Sequence, residues 1–275
     1  AVYVYEKTSG ARLSSWRLTA RLTPRDCRAN AFFGERVALS GTRILTSASS
    51  EHFANEGTNS AYVFEQDTTE TWHQTARLTG RSTEPEGLFA TDLDLDGNRA
   101  VISTSGHSEG EYGGAVYVFE YNPRTMQWNQ TARLTASRST EAGVLGRSVS
   151  LHGNRIAVAA STYFKREPGA VYIFQHDAST KQWREVAFLQ GVDSFFIDLD
   201  LYQNTLVVGE DRAGSDNSGE ATIYTERRDG TWRKATTLHP SIPYDSGSFG
   251  ETVSIREKWL LITGYDEQLG KEFNI

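Results

Sequence analysis

The chain has 275 residues, a formal net charge of −7, 38% hydrophobic residues and one cysteine, Cys27. The acidic balance excludes phosphate-backbone binding as a main activity, so no nucleic-acid partner is expected. No apolar run approaches the ~20 residues of a membrane helix, so no transmembrane segment is expected. A lone cysteine excludes an intrachain disulfide and a cysteine-based zinc site.

In chain order the apolar pattern alternates with period two, first over Ala1–Glu6 and Trp16–Leu22. Next come Phe33–Leu39, a tight turn at Ser40-Gly41-Thr42, Arg43–Ser47, Ala61–Glu65 and Trp72–Leu78. Further sets of four follow: Phe89–Leu95, Arg99–Ser103, Ala115–Glu120 and Trp128–Leu134, then Leu145–Leu151, Arg155–Ala159, Ala170–Phe174 and Trp183–Leu189. The last complete set is Phe195–Leu201, Thr205–Gly209, Ala221–Thr225 and Trp232–Leu238. Phe249–Ile255 and Trp259–Thr263 follow it. Within each set the strands are termed A to D, A innermost.

The Trp opening strand D recurs at Trp16, Trp72, Trp128, Trp183 and Trp232, at spacings of 56, 56, 55 and 49 residues. Passing from Trp232 through the C-terminus back to Trp16 gives 59. A repeat of this period, built of four-strand units that cannot bury their faces alone, predicts an all-β fold: a five-bladed β-propeller with four antiparallel strands per blade. The whole chain forms one domain, with blades over 31–79, 87–135, 143–190 and 193–239. The fifth is assembled from 249–275 and 1–23. Pairing of N- and C-terminal strands within that blade closes the ring without a long open edge. Phe273-Asn274-Ile275 falls where a further strand C would lie and competes with Ala1–Tyr5 for that place. The strand-D Trp and Leu and the strand-C Val-Tyr-Val-Phe are expected to pack blade on blade.

The pattern resembles the FG-GAP repeats of integrin α-chain propellers and their bacterial relatives. The likeness lies in Phe33-Gly34 and Phe249-Gly250 opening strand A, in Val37–Gly41 and Ile156–Ala160, and in the recurrent Gly-Ala-Val-Tyr-Val-Phe. The first pair has drifted to Phe89-Ala90, Leu145-Gly146 and Phe195-Phe196. The resemblance implies a binding or adhesion module, carbohydrate- or protein-directed, at an extracellular or cell-surface location. The A–B connection is too short in every repeat for the family's calcium loop, so no cofactor or bound metal is expected.

Asp92-Leu-Asp94-Leu-Asp96-Gly97 looks like the start of an EF-hand loop, but the twelfth position is Ser103 where a bidentate Glu belongs. Strand alternation fits better, and the fifth set repeats it as Asp198-Leu199-Asp200-Leu201. The matching pairs elsewhere are Arg36/Ala38, Ser148/Ser150 and Thr252/Ser254. On the innermost strand these side chains are expected to look toward the central channel, with Arg36 offsetting Asp92 by an ion pair. Three expectations stay open for them: a water-filled polar channel, a bound cation or polar ligand, or a catalytic carboxylate pair drawn from Asp92, Asp94, Asp198 and Asp200 that cleaves glycans.

Gly106–Gly110 matches G-x-S-x-G but lies in a loop of an all-β repeat, where a nucleophile elbow has no strand-to-helix turn to sit on. His52 and His107 with neighbouring glutamates suggest solvated loops before a surface metal site. The B–C and D–A loops share one face and carry Tyr112, Tyr163, Phe164, Tyr244 and Tyr265, which suit stacking on a sugar or peptide. The expected ligand-binding set is therefore Arg36, Asp92, Asp94, Ser148, Asp198, Asp200, Tyr163 and Tyr265. A non-enzymatic ligand-binding or adhesion propeller is expected. A glycan-cleaving enzyme and a protein-docking subunit of a larger assembly are the alternatives.

Overall fold

The computed structural model describes residues 1–8, 15–26, 32–48, 59–80, 88–105, 114–138, 144–161, 169–192, 197–214, 217–241 and 247–264. Among them every regular element is a β-strand. In chain order they are β1 (Val2–Lys7), β2 (Trp16–Leu22), β3 (Val37–Ser40), β4 (Arg43–Ala48), β5 (Ser60–Gln66), β6 (Trp72–Leu78) and β7 (Leu88–Asp96). Then follow β8 (Arg99–Ser105), β9 (Gly114–Asn122), β10 (Gln127–Leu134), β11 (Val144–His152), β12 (Arg155–Ser161), β13 (Gly169–Asp177) and β14 (Gln182–Val192). The series ends with β15 (Ile197–Tyr202), β16 (Thr205–Glu210), β17 (Glu220–Glu226), β18 (Trp232–Leu238), β19 (Val253–Arg256) and β20 (Trp259–Ile262).

Four antiparallel meanders result: β3–β6, β7–β10, β11–β14 and β15–β18, here the first to fourth sheets. Strands β1–β2 and β19–β20 form two separate two-stranded sheets. The expected pairing of N- and C-terminal strands in one blade is not made among the described residues. The architecture is all-β and propeller-like, with four complete sheets and two half-sheets.

The half-sheets are recognisable pieces of the same unit. Every C–D ladder carries a register shift at the equivalent place: Val63/Phe64, Gln130/Ala132, Ile173/Phe174 and Ile223/Tyr224. The β1–β2 ladder shifts at Val4/Tyr5. An extra residue there bends the outer strand and increases its twist. Strands β1–β2 are thus an outer C–D half, and β19–β20, entered through Phe249-Gly250, an inner A–B half. Strand A begins later than the alternation predicted in β3, because Phe32 and Gly34 hold positive φ (41° and 94°) and turn the chain before Val37.

The core lies between sheets. Val149 and Leu151 of the third sheet pack with Val101, Val116 and Val118 of the second. Leu93 and Leu95 of the second sheet pack with Leu45, Ala61 and Val63 of the first. Leu199 and Leu201 of the fourth sheet pack with Ala157, Val171 and Ile173 of the third. Val253 meets Val207 and Ala221, and Val2 meets Ile44, Tyr62 and Phe64. Both faces of each complete sheet are used, so each B and C strand reads as a continuous apolar run. Tyr62, Tyr117 and Tyr172, at one strand-C position, are all but fully buried. Each such ring contributes about 1.5–3 kcal/mol by leaving water.

The packing stops at the half-sheets. Val37 and Leu39 of β3 are 50% and 65% exposed, and Trp259 and Leu261 of β20 are 67% and 69% exposed. Tyr3 and Tyr5 of β1 are each 54% exposed. Trp16 is likewise exposed, contrary to the expectation for strand-D Trp, because among the described residues nothing covers its hairpin from that side.

Candidate functional site

Strand A is the inner edge of each sheet, so alternate main-chain N–H groups along it have no ladder partner. The aspartates supply one. Asp92 accepts the N–H of Val149 at 2.8 Å, and Asp94 that of Leu151 at 2.7 Å, both on the next sheet. The fourth sheet repeats this toward β19: Asp198 accepts from Val253 at 2.9 Å and Asp200 from Ile255 at 2.7 Å. Alternation places Asp92 and Asp94 on one face of β7, with Leu93 and Leu95 on the other, and the carboxylates reach sideways across the sheet boundary. This segment is strand, turn and strand (β7 to β8), not a cation-binding loop.

Ser148 and Ser150 of β11 link these two pairs. The Ser148 hydroxyl donates to Asp198 Oδ1 at 3.0 Å. Ser150 Oγ lies 3.0 Å from Asp200 Oδ1 and 3.3 Å from Asp94 Oδ2, and accepts the N–H of Leu201 at 3.1 Å. Arg36 Nε stands 3.6 Å from Asp92 Oδ1, so the ion pair read from the sequence is present, with a half-exposed guanidinium. Asp94 Oδ1 and Asp200 Oδ1 accept the N–H of their own following residues at 2.7 and 2.8 Å. Every oxygen of the four carboxylates therefore has a protein partner.

Burial pushes the Asp92 carboxyl up to about 7, opposed by the Val149 N–H and by Arg36 and reinforced by the charge of Asp198. Burial also raises Asp94, with the Asp200 charge adding to it, and raises Asp198. Among the described residues no group of three or more His, Cys, Asp or Glu side chains is placed to hold a metal ion. General acid–base chemistry needs a carboxylate oxygen turned to a substrate. Here the oxygens are turned to neighbouring main chain and hydroxyls, and the arrangement ties sheet to sheet.

Of the remaining expected site residues, Tyr163 and Tyr265 lie outside the described residues, as do Tyr112, Phe164, Tyr244, His52, His107 and the Gly106–Gly110 motif. His152 sits at an A–B turn, its ring 4.8 Å from that of Tyr202.

A second set of ties was not anticipated. Arg43, Arg99 and Arg155 each open strand B. Arg43 bonds Glu65 of its own sheet and reaches Gly97 O and Asn98 Oδ1 of the next, lying over Tyr121 and Trp128. Arg99 bonds Glu120 at 2.7 Å and Gly153 O at 2.7 Å, and lies over Trp183. Arg155 pairs with Glu226 of the fourth sheet. The signal was available: an Arg opens strand B in three sets, with a Glu at the end of strand C in two of them. Asp96, read from the sequence only as part of the EF-hand-like run, accepts the N–H of Gly153 at 2.7 Å.

A family model described as FG-GAP repeat matches residues 16–64 and 128–174. Both matches open at a strand-D Trp and run through the A, B and C strands of the following sheet, so the matched unit straddles one sheet boundary. No curated protein matches the chain.

Proposed function

We propose that this chain, an FG-GAP repeat protein, is a non-enzymatic ligand-binding or adhesion module. Its ring has five blades, and the B–C and D–A loops form its working face. One observation carries the choice against an enzyme: each oxygen of Asp92, Asp94, Asp198 and Asp200 is engaged by neighbouring main chain, a hydroxyl or Arg36. The same hydrogen bonds, with Arg36, supply the charge compensation for which a channel cation is the alternative. A rigid inner ring leaves recognition to the loops, whose Tyr163 and Tyr265 suit stacking on a carbohydrate or a protein ligand, with Arg36 at the inner rim as a polar contact. Extracellular or cell-surface exposure fits such a role. Among the described residues no helix is long and apolar enough to cross a membrane.

The test compares two variant pairs, Tyr163→Ala with Tyr265→Ala and Asp94→Asn with Asp200→Asn. Glycan-array binding, protein pulldown and glycan turnover are measured for each. The tyrosine pair is expected to lose at least tenfold in binding while the aspartate pair keeps it. Glycan turnover that disappears in the aspartate pair, with binding retained, would establish the enzyme instead.

A further inference from the structure

The outer strands differ at one exposed place. The residue after the Trp opening strand D is Arg17 in β2, His73 in β6, Arg184 in β14 and Arg233 in β18, and all four are exposed. Among the described residues each strand D is hydrogen-bonded to a strand on one side only, so its other edge presents unpaired main-chain groups. A cationic side chain beside such an edge discourages a second chain from adding a strand. In β10 that place is taken by Asn129, and from Gln127 to Ala132 the strand holds no charged side chain.

Asn129 opens Asn129-Gln130-Thr131, the acceptor pattern for N-linked glycosylation, and the pattern occurs nowhere else in the chain. Asn129 and Thr131 are both exposed. Trp128 packs against the cluster of Leu45, Leu93 and Leu95, so alternation turns Asn129 away from that core. Its cross-strand neighbour Glu120 is engaged by Arg99 and makes no claim on the carboxamide. Asn129 Nδ2 donates to Gln127 O at 3.4 Å, a long bond that uses one of its two hydrogens. Attachment of a sugar uses the other.

We propose that Asn129 carries an N-linked glycan, and that this glycan does for the second sheet what a cation does for the others, keeping its outer edge from pairing with another chain. The inference rests on the extracellular exposure proposed above, because the sugar is added to secreted chains. The co-reactant is an oligosaccharide carried on a lipid pyrophosphate. The bond from its anomeric carbon to the pyrophosphate oxygen breaks, and a bond from that carbon to Asn129 Nδ2 forms. One Nδ2 proton is lost, and the lipid pyrophosphate leaves. Thr131 supplies the hydroxyl that the acceptor pattern requires at its third place. The position suits a bulky group. Asn129 is the third residue of β10, next to the C–D turn, and the D–A connection lies at the other end of the strand. A sugar there projects from the outer rim, clear of the B–C and D–A loops.

The test produces the full chain through the secretory pathway of a eukaryotic host and maps its peptides by mass spectrometry. Asn129 should be glycosylated in the parent and in Thr131→Ser, and bare in Thr131→Ala. A bare Asn129 in the parent would overturn the inference. Analytical ultracentrifugation reads the role. Asn129→Gln has neither sugar nor charge, and joining two open edges should roughly double its weight-average polypeptide mass relative to the glycosylated parent. Asn129→Arg restores the cation of the other outer strands and should match the parent without a sugar. A Gln variant no heavier than the parent, or an Arg variant as heavy as the Gln variant, would overturn the guarding role. Should Asn129→Gln fold poorly, the unaltered chain made in a bacterial host that lacks the transferase gives the same reading: it should associate, and its failure to do so counts against the role. A bare Asn129 in a protein that scores on the glycan array or in pulldown would sink this inference alone; a glycosylated protein that binds nothing would sink the proposed function alone.

Discussion

The Asp94 carboxylate accepts the main-chain N–H of Leu151 at 2.7 Å across the boundary between the second and third sheets. That bond satisfies an inner-edge donor which the ladder of its own sheet cannot reach. The same relation holds between Asp200 and Ile255 at the boundary of the fourth sheet with β19.

Removing the acceptor should therefore cost more than removing the charge. Asp94→Ala leaves the Leu151 N–H without its partner, a loss of about 1–3 kcal/mol. Asp94→Asn keeps one acceptor oxygen for the Leu151 N–H and relieves a buried charge beside Asp200, giving up only the bond from the Leu95 N–H, so it should lose less than Asp94→Ala. Urea unfolding midpoints at neutral pH measure both. An alanine variant as stable as the parent would show that the tie contributes nothing.

Stability should fall as pH rises toward neutrality. The folded pKa of Asp92 is about 7 against an ordinary 3.8, so the proton favours the folded state. The contribution is fully present below pH 3.8 and is lost as pH climbs through about 7. The side chain is 19% exposed, which screens the effect to about 1–2 kcal/mol between pH 5 and 8. Asp92→Asn should flatten that slope. The turn aspartates work the other way. Hydrogen bonding, chiefly from the Thr69 hydroxyl to Asp67 and the Ser179 hydroxyl to Asp177, holds both carboxyls well below the ordinary range. Their stabilisation is present above pH 3.8 and lost in stronger acid. Thermal melts from pH 3 to 9, on parent and variant, check both limbs.

Ala90 occupies a place built for glycine. Its φ is +65°, and the equivalent Gly34, Gly146 and Gly250 have φ of +94°, +98° and +94°. A Cβ is disfavoured there by roughly 1–2 kcal/mol. Ala90→Gly should thus raise stability by about 1 kcal/mol despite the added freedom of the unfolded chain. Gly146→Ala should lower it by more, because a Cβ at that site would stand 2.7 Å from Thr104 O on the preceding sheet. Chemical denaturation of the two variants should give shifts of opposite sign.

The strands were legible because alternation and β-branched runs repeat at a fixed period; Val116–Phe119 and Tyr172–Phe174 sit buried where that pattern places them. The Asp92/Asp94 alternation correctly read this segment as strand. What the pattern could not carry was direction across a sheet boundary. Period two assigns Asp94 to a face but says nothing of which neighbour's N–H the carboxylate meets, 57 residues on at Leu151. Arg99 was equally mute, since its partners Glu120, Gly153 and Trp183 become neighbours only when sheets stack. Tyr163 and Tyr265 lie outside the described residues, and no periodicity in the sequence constrains their surroundings.

Arg99 makes the sharpest test of the stacked arrangement. Its guanidinium gives Nε and Nη2 to Glu120 Oε1 at 3.0 and 2.7 Å while Nη1 reaches Gly153 O at 2.7 Å, and its Cζ lies 5.1 Å from the Trp183 ring centre. A lysine retains the charge but lacks the planar fork that serves both sheets. Arg99→Lys should therefore lose about 1 kcal/mol and Arg99→Ala about 2 kcal/mol. Much of the loss lies in the stacking and the Gly153 bond, so Glu120→Gln alone should lose less than Arg99→Ala. A double-mutant cycle between the two positions should leave a remainder assigned to the neighbouring sheet. If Arg99→Lys unfolds at the same urea concentration as the parent, charge alone suffices and the bridge from sheet to sheet contributes no stability.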